Sequence, residues 1–193
     1  MPSLFDEFNK LTARTPGMAQ ALQQIITEQT FKRGDTISAI GEMRSYLYYI
    51  ITGSARVFYL SSGKEHTYSF AFEEEVISLS HPLLSNEDYL ATIEFLETSK
   101  VAMVRFETFH EVLQQFDKSI SVAFVKHLLK SILQHTADLE DRIVMLQTCS
   151  APQRFHWLIN RYPKILERAS ITQIASYLGV TKETLYRIRA GKY

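Results

Sequence analysis

The feature that most constrains the fold is a stretch from residue 121 to residue 147 that contains neither proline nor glycine. Apolar side chains recur along it at alternating steps of three and four residues, which is the spacing of a coiled-coil seam on one helix. The seam positions are Val122, Val125, Leu129, Ile132, Thr136, Leu139, Ile143 and Leu146. We therefore predict a long helix within residues 113–149 that pairs with a second copy of the chain. The alternative is a long helix that only packs on its own domain, since Phe124, Leu128 and Leu133 offer a second apolar face.

The chain before this helix is expected to be a β domain over residues 1–112. Short β-type runs between glycines and polar turns predict strands at 36–40, 46–51, 55–60, 66–72, 90–95 and 101–106. Residues 61–64 predict a hairpin turn, and residues 3–30 predict short lead-in helices. Strands of this length and spacing favour a sandwich or a small barrel.

Charge is distributed unevenly along the chain. The whole chain has a formal net charge of zero, but residues 151–193 carry eight basic and two acidic side chains, a net charge of +6. The other residues therefore carry −6, and such asymmetry indicates a polyanionic partner for the basic end. The lone Cys149 excludes an internal disulfide, and we expect neither a signal region nor a membrane span. A cytoplasmic, soluble protein is expected.

Residues 171–189 have the pattern of two short helices crossing at a tight turn. Ile171, Ile174, Leu178, Val180, Leu185 and Ile188 are the apolar positions. Ala175 is small at the crossing, Gly179 supplies the turn and Thr181 is a plausible N-cap for the second helix. The pattern predicts a helix-turn-helix domain over residues 150–193 that binds double-stranded DNA. The alternative is an ordinary helical hairpin with a solvated basic face.

The second helix of this pair carries the side chains expected to contact DNA: Thr181, Lys182, Glu183, Thr184, Tyr186, Arg187 and Arg189. Lysine and arginine pair with guanine edges or phosphates, and a glutamate accepts from a cytosine amino group. Only four residues follow Arg189, so a full winged helix is not expected. Phosphate contacts are expected instead from Arg154, Arg161, Lys164, Arg168, Arg189 and Lys192.

Three motifs carry a family resemblance: Phe-Lys-Arg-Gly-Asp-Thr-Ile at 31–37 with Gly41-Glu42, Leu-Tyr-Tyr-Ile-Ile-Thr-Gly at 47–53, and residues 174–189. In this order they resemble the Crp-Fnr superfamily of bacterial transcription regulators, and the last motif is similar to its Bacteroidetes branch. The resemblance implies an α+β chain with a double-stranded β-helix (jelly-roll) effector domain, a homodimer built on the long helix, and RNA polymerase as a partner. It also implies that Lys182, Glu183 and Arg187 read bases.

The residues expected at the family's effector pocket depart from its nucleotide-binding pattern. Ser78 and Leu79 stand where nucleotide-binding members have Gly-Glu, and Tyr89 and Leu90 stand where they have Arg-Ser or Arg-Thr. A buried phosphate needs a charge-assisted partner such as a bidentate arginine. Together with Thr136 on the long helix, these residues predict a degenerate pocket that does not bind cAMP. Either another small-molecule effector acts here, or the dimer binds DNA constitutively.

An enzyme is the remaining alternative, because metal-dependent cupins are also jelly rolls. Cupin chemistry needs several histidines with a glutamate inside the barrel. The corresponding segments offer only His66, with His81 in an expected loop. One cysteine cannot ligate an iron-sulfur cluster, and the six histidines have no haem-diagnostic spacing. We therefore expect no catalytic residues, no metal and no cofactor.

Overall fold

The computed structural model of the chain describes residues 10, 13, 15–39, 41–79, 91–116 and 118–193. Within them, eight strands form two antiparallel sheets. The strands are β1 (Thr27–Phe31), β2 (Thr36–Ser38), β3 (Tyr46–Thr52), β4 (Ala55–Ser61), β5 (Lys64–Ala71), β6 (Val76–Ser78), β7 (Thr92–Phe95) and β8 (Ser99–Arg105). One sheet has the order β1-β8-β3-β6 and the other β2-β7-β4-β5.

Helices flank this β roll and dominate the rest of the described chain. They are α1 (Met18–Ile25), α2 (Phe106–Gln114), α3 (Lys118–Thr148), α4 (Ala151–Arg161), α5 (Ile165–Arg168), α6 (Ile171–Leu178) and α7 (Lys182–Arg189), with a 3-10 turn at Gly41–Ser45. In the described part, none of these helices combines the length and apolarity that a membrane crossing requires.

The two sheets enclose a hydrophobic core. Alternate residues of the strands point into it, so Ile50, Ile93 and Val101 are fully buried. The rings of Phe31 and Phe95 stack across it with centroids 4.2 Å apart. The buried hydroxyl of Tyr48 donates to the Met43 carbonyl at 2.9 Å. This arrangement confirms the expected jelly-roll β domain with helices.

The strand predictions were correct in position, with two omissions. Residues 27–30 were expected to be helical, which is wrong: they form most of β1, which pairs with β8 from Thr27 opposite Met103 to Phe31 opposite Ser99. β6 was not anticipated as a strand. The hairpin turn is confirmed, since Ser61 pairs with Lys64 and both turn residues, Ser62 and Gly63, have positive φ.

The predicted long helix is confirmed as α3, which at 31 residues is about 46 Å long. After it, Ser150 caps α4 through a capping box, with proline in the first turn. A second core lies under α4 to α7, centred on the buried side chains of Leu158, Ile174 and Leu185. Phe70 and Leu96 of the β roll belong to the same core, so the roll and the C-terminal helices pack together.

Candidate nucleic-acid interface

Helices α6 and α7 form a pair joined at Gly179, as the sequence predicted. Ser170 caps α6 by accepting from the Gln173 backbone N–H at 3.3 Å. Gly179 ends α6 with φ 65°, a conformation in which a side chain is strained, and an added Cβ would lie 3.3 Å from Leu146 Cδ2. Thr181 begins α7 by accepting from the Thr184 backbone N–H at 3.1 Å. The predicted N-cap is therefore confirmed.

The two faces of α7 differ in chemistry. Its inner face is held by Leu185, which is fully buried, and by the half-buried Ile188. The residues expected to contact DNA lie on the other side: Thr181, Lys182, Glu183, Tyr186, Arg187 and Arg189 are exposed, and Thr184 is half-buried. We call the exposed set Lys182, Glu183, Tyr186, Arg187 and Arg189 the reading face.

Two members of the reading face are held by local contacts. Its own backbone N–H and the Thr181 hydroxyl lower the pKa of Glu183 below its ordinary value by hydrogen bonding to the carboxylate. The Arg187 guanidinium lies 5.7 Å from the ring centroid of Tyr193. Gly191, with φ 66°, turns the chain back after α7, and the Lys192 N–H donates to the Arg187 carbonyl at 2.9 Å.

The basic residues expected to bind phosphates separate into two groups. Arg154 was expected to contact phosphate, but its guanidinium is engaged inside the chain, where it donates to three main-chain carbonyls. Nε donates to Cys149 at 2.9 Å, Nη1 to Leu178 at 3.2 Å and Nη2 to Leu146 at 2.7 Å. It closes the open carbonyl ends of α3 and α6. Lys164, Arg189 and Lys192 are exposed.

Arg161 and Arg168 are engaged by carboxylates. Arg161 pairs with Asp138 of α3 at 2.8 Å. Arg168 pairs with Glu73 and, through Nε at 2.8 Å, with Glu97, both on the β roll. The hydrogen bond from Arg168 lowers the pKa of Glu73 to about 2. These two arginines therefore do not present free guanidinium groups to a phosphate in this arrangement.

The expected effector-pocket residues do not form a polar site in the described part of the chain. Leu79 is buried in the core of the roll. Thr136 is exposed, and its hydroxyl donates to the Ile132 carbonyl at 2.9 Å on its own helix. The side chain of Ser78 and all of Tyr89 and Leu90 lie outside what the structure describes.

Most of the expected dimer seam lies uncovered on α3. Val122, Val125, Leu129, Ile132 and Ile143 are each more than half exposed, and Thr136 is exposed beside them. Leu139 is half-buried, and Leu146 packs against the second core. A row of exposed apolar side chains of this length on one helix is typical of a protein interface.

The histidines considered for metal binding do not converge in the described residues. His66 stacks on Tyr59 with ring centroids 5.3 Å apart, and His81 lies outside the described part. Across the described ranges, no three His, Cys, Asp or Glu side chains are grouped so that they could hold a metal ion.

Sequence reasoning missed the residues that join the helix pair to the β roll, chiefly Arg142, Gln173 and Ser176. Arg142 donates through Nη2 to the carbonyls of Thr67 at 3.3 Å and Tyr177 at 2.9 Å. Its guanidinium also lies 4.4 Å from the Tyr177 ring centroid. Periodicity reports neighbours on one element, so it gave no signal for contacts between residues about 75 positions apart.

Known proteins are similar to this chain in its β roll and over most of its length. Residues 28–116 match the family model of the cyclic nucleotide-binding domain. The transcriptional activator protein FnrA of Stutzerimonas stutzeri is 25% identical over 173 residues, which cover 83% of this chain. The chain spans 65% of the length of that relative.

Solved structures share the fold over most of the chain. FixK2 from Bradyrhizobium japonicum has a TM-score of 0.66 at 23% identity and covers 86% of this chain and 84% of its own. The c-di-GMP-responsive global regulator CLP of Xanthomonas campestris has a TM-score of 0.71 at 14% identity, covering 91% and 90% of the two chains.

Proposed function

We propose that this chain is a transcription regulator of the Crp-Fnr family, which the matched domain and the similar proteins support. We further propose that it binds double-stranded DNA sequence-specifically as a homodimer. In this proposal α6 and α7 are the two helices of a helix-turn-helix, and α7 enters the major groove. The uncovered seam of α3 joins two copies, and RNA polymerase is a further partner. The similar proteins are regulators rather than enzymes, which supports a non-enzymatic role.

The observation that carries the proposal is the division of α7 into a buried and a reading face. Leu185 anchors the helix, while Lys182, Glu183 and Arg187 remain exposed at its outer side. These three side chains supply donors and an acceptor that match guanine, phosphate and cytosine edges.

Equilibrium binding of the full chain to an operator recovered from random DNA tests this role of α7. Arg187→Ala is expected to weaken binding to the best site by roughly 1 to 3 kcal/mol and to relax the preference at one base pair, because one bidentate base contact is lost. Arg33→Ala removes the same charge from an exposed turn of the β roll and serves as the control. Equal losses of affinity for the two variants would mean that Arg187 contributes only general electrostatic attraction and no base contact.

The β roll is proposed as an effector-type domain that does not bind cAMP. The buried Leu79, and Tyr89 and Leu90 in the sequence, support this, since a cyclic phosphate would need a cationic partner that these residues do not supply. Calorimetric titration with cAMP is expected to give no heat of binding, and micromolar affinity would contradict the proposal. A different small-molecule effector is the second candidate, and c-di-GMP is one compound to include. The motif at residues 174–189 supports a Bacteroidetes-type branch.

A further inference from the structure

Helix α6 covers the open edge of one sheet. Strand β5 is the last strand of its sheet, so its outer main-chain groups have no neighbouring strand in the described part. The Ser176 hydroxyl of α6 accepts from the Thr67 backbone N–H at 2.9 Å and donates to the Glu65 carbonyl at 3.1 Å. One side chain of the helix pair therefore binds two main-chain groups of the β roll at this edge.

Charged and polar side chains extend this contact on both sides of Ser176. Gln173 Nε2 donates to Glu94 Oε2 at 3.2 Å. Arg168 binds Glu73 and Glu97, and its guanidinium lies 5.3 Å from the ring centroid of Phe72. Arg168 has 17% of its side chain exposed, whereas its partners Glu73 and Glu97 are 41% and 39% exposed, so each ion pair has one shielded and one partly exposed member.

Apolar packing closes the same contact. Phe70 of β5 lies with its ring centroid 5.1 Å from that of Tyr177 on α6, and both side chains are buried. Phe72 and Tyr162 make a second ring pair at 5.1 Å. A contact that combines buried rings, main-chain hydrogen bonds and the ion pairs of Arg168 fixes one orientation of the helix pair on the roll.

The reading face is not part of this contact. The roll is bound by side chains of α5 and α6, whereas Lys182, Glu183 and Arg187 of α7 are exposed. The docked arrangement therefore leaves the base-reading side chains open to DNA. The contact holds the helix pair without covering its reading face. This geometry fits a contact that positions the helix pair for DNA better than one that prevents DNA binding.

We propose that Arg168 and Ser176 are positioning residues that clamp the reading helix to the β roll and thereby set the distance between the two reading helices of the dimer. The inference rests on the proposed function, because it concerns how two copies read two half-sites. In the single chain, the clamp holds the helix pair in one orientation on the β roll and leaves the reading face exposed. Loss of the clamp should widen the range of half-site spacings that the dimer binds, without changing the base preference within each half-site.

A charge-removing double variant on the β roll tests the clamp without touching the helix pair. Glu73→Gln with Glu97→Gln removes the two charges that bind Arg168 but keeps oxygen acceptors for the Gly53 N–H and the Ser54 hydroxyl. Glu74→Gln is the matched control, since Glu74 is the exposed neighbour of Glu73 and lies in the same turn. Ser176→Ala tests the same clamp from the other side.

The measurement is affinity of the full-length chain for DNA with one half-site and with two half-sites at a series of spacings. The double variant and Ser176→Ala should bind the best paired site roughly tenfold more weakly and accept a wider range of spacings, with single-site affinity unchanged. The control should match the wild type. Unchanged spacing preference, tighter paired-site binding, or an equal loss on single sites would each overturn the clamp. Absence of sequence-specific binding by the wild-type chain would instead overturn the proposed function.

Discussion

Arginine residues of identical chemistry have three different roles in this chain, and their partners decide which. Arg154 donates to three carbonyls, Arg168 binds two carboxylates of the β roll, and Arg187 is exposed on the reading face. A charge count treats the three alike, so the sequence predicted DNA contacts for all of them. At the level of the residue, the number of internal acceptors separates structural arginines from those available to a ligand.

Arg154→Ala and Lys164→Ala should therefore affect different properties, the first stability and the second DNA binding. Loss of Arg154 should lower the free energy of unfolding by about 3 kcal/mol, because three buried or half-buried carbonyls lose a charged donor. Loss of the exposed Lys164 should leave stability unchanged. It should reduce by about 1 the steepness with which the logarithm of DNA affinity falls with the logarithm of salt concentration, which we call the salt slope. Urea unfolding and DNA titration at several salt concentrations measure the two quantities. A stable Arg154→Ala protein with a reduced salt slope would restore Arg154 as a phosphate contact.

The ion pair of Glu73 predicts a pH dependence of stability. Arg168 lowers the pKa of Glu73 from its ordinary value of 4.5 to about 2, so the folded state favours the ionised carboxylate. Its stabilising contribution is complete above pH 4.5 and disappears as the pH falls towards 2. The contribution is modest because 41% of the Glu73 side chain is exposed.

Glu73→Gln should accordingly be less stable than the wild type at neutral pH and should lose less stability between pH 4.5 and 2. Urea unfolding at closely spaced pH values gives both curves, with Glu74→Gln as the control. Parallel curves for Glu73→Gln and the wild type over this interval would mean that Glu73 does not titrate with a lowered pKa.

Elements with a strong period were predictable, and those defined by distant pairing were not. The alternation in β3, β4 and β5 located these strands to within about two residues, and the repeat along α3 located its end to within one residue and its start to within five. The segment at β1 continues the helical spacing of α1 in sequence, yet it pairs with β8 about 70 residues away. β6 has only three residues and is held by β3, so no local pattern marks it. Tertiary pairing overrides local propensity in both cases.

The uncovered seam of α3 predicts a dimer that one charge can disrupt. Ile132→Asp should convert the dimer to a monomer, because it places a carboxylate between two apolar rows. Gln134→Asp adds the same charge two residues away, on the side of α3 opposite the seam, and should remain dimeric. Sedimentation equilibrium of both variants and the wild type measures the assembly. A wild-type monomer, or equal dissociation of the two variants, would contradict pairing along this seam.

The whole molecule explains why a net charge of zero does not argue against a DNA-binding role. The β roll and α3 carry the carboxylates that engage Arg161 and Arg168, so part of the basic end is neutralised inside the chain. The cations on α7 remain exposed. Part of the opposite charge of the two chain segments is therefore paired internally, and the exposed cations of α7 remain available for the proposed DNA contact.

The candidate site was predictable only in part at this scale. Caps, the glycine turn and the outward side chains of α7 follow from local sequence and were found from it. The orientation of α7 relative to the roll depends on Ser176, Gln173 and Arg142, whose partners lie far away along the chain. Such contacts depend on the packing of complete elements, which periodicity does not report.

Selection of bound sequences from random double-stranded DNA by the full-length wild-type chain tests the central claim most directly. A dimer with one reading helix in each copy should enrich two inverted half-sites whose centres lie one helical turn, roughly 34 Å, or a multiple of it apart. Enrichment of an unpaired site, or of no sequence above the starting pool, would contradict a sequence-specific DNA-binding homodimer.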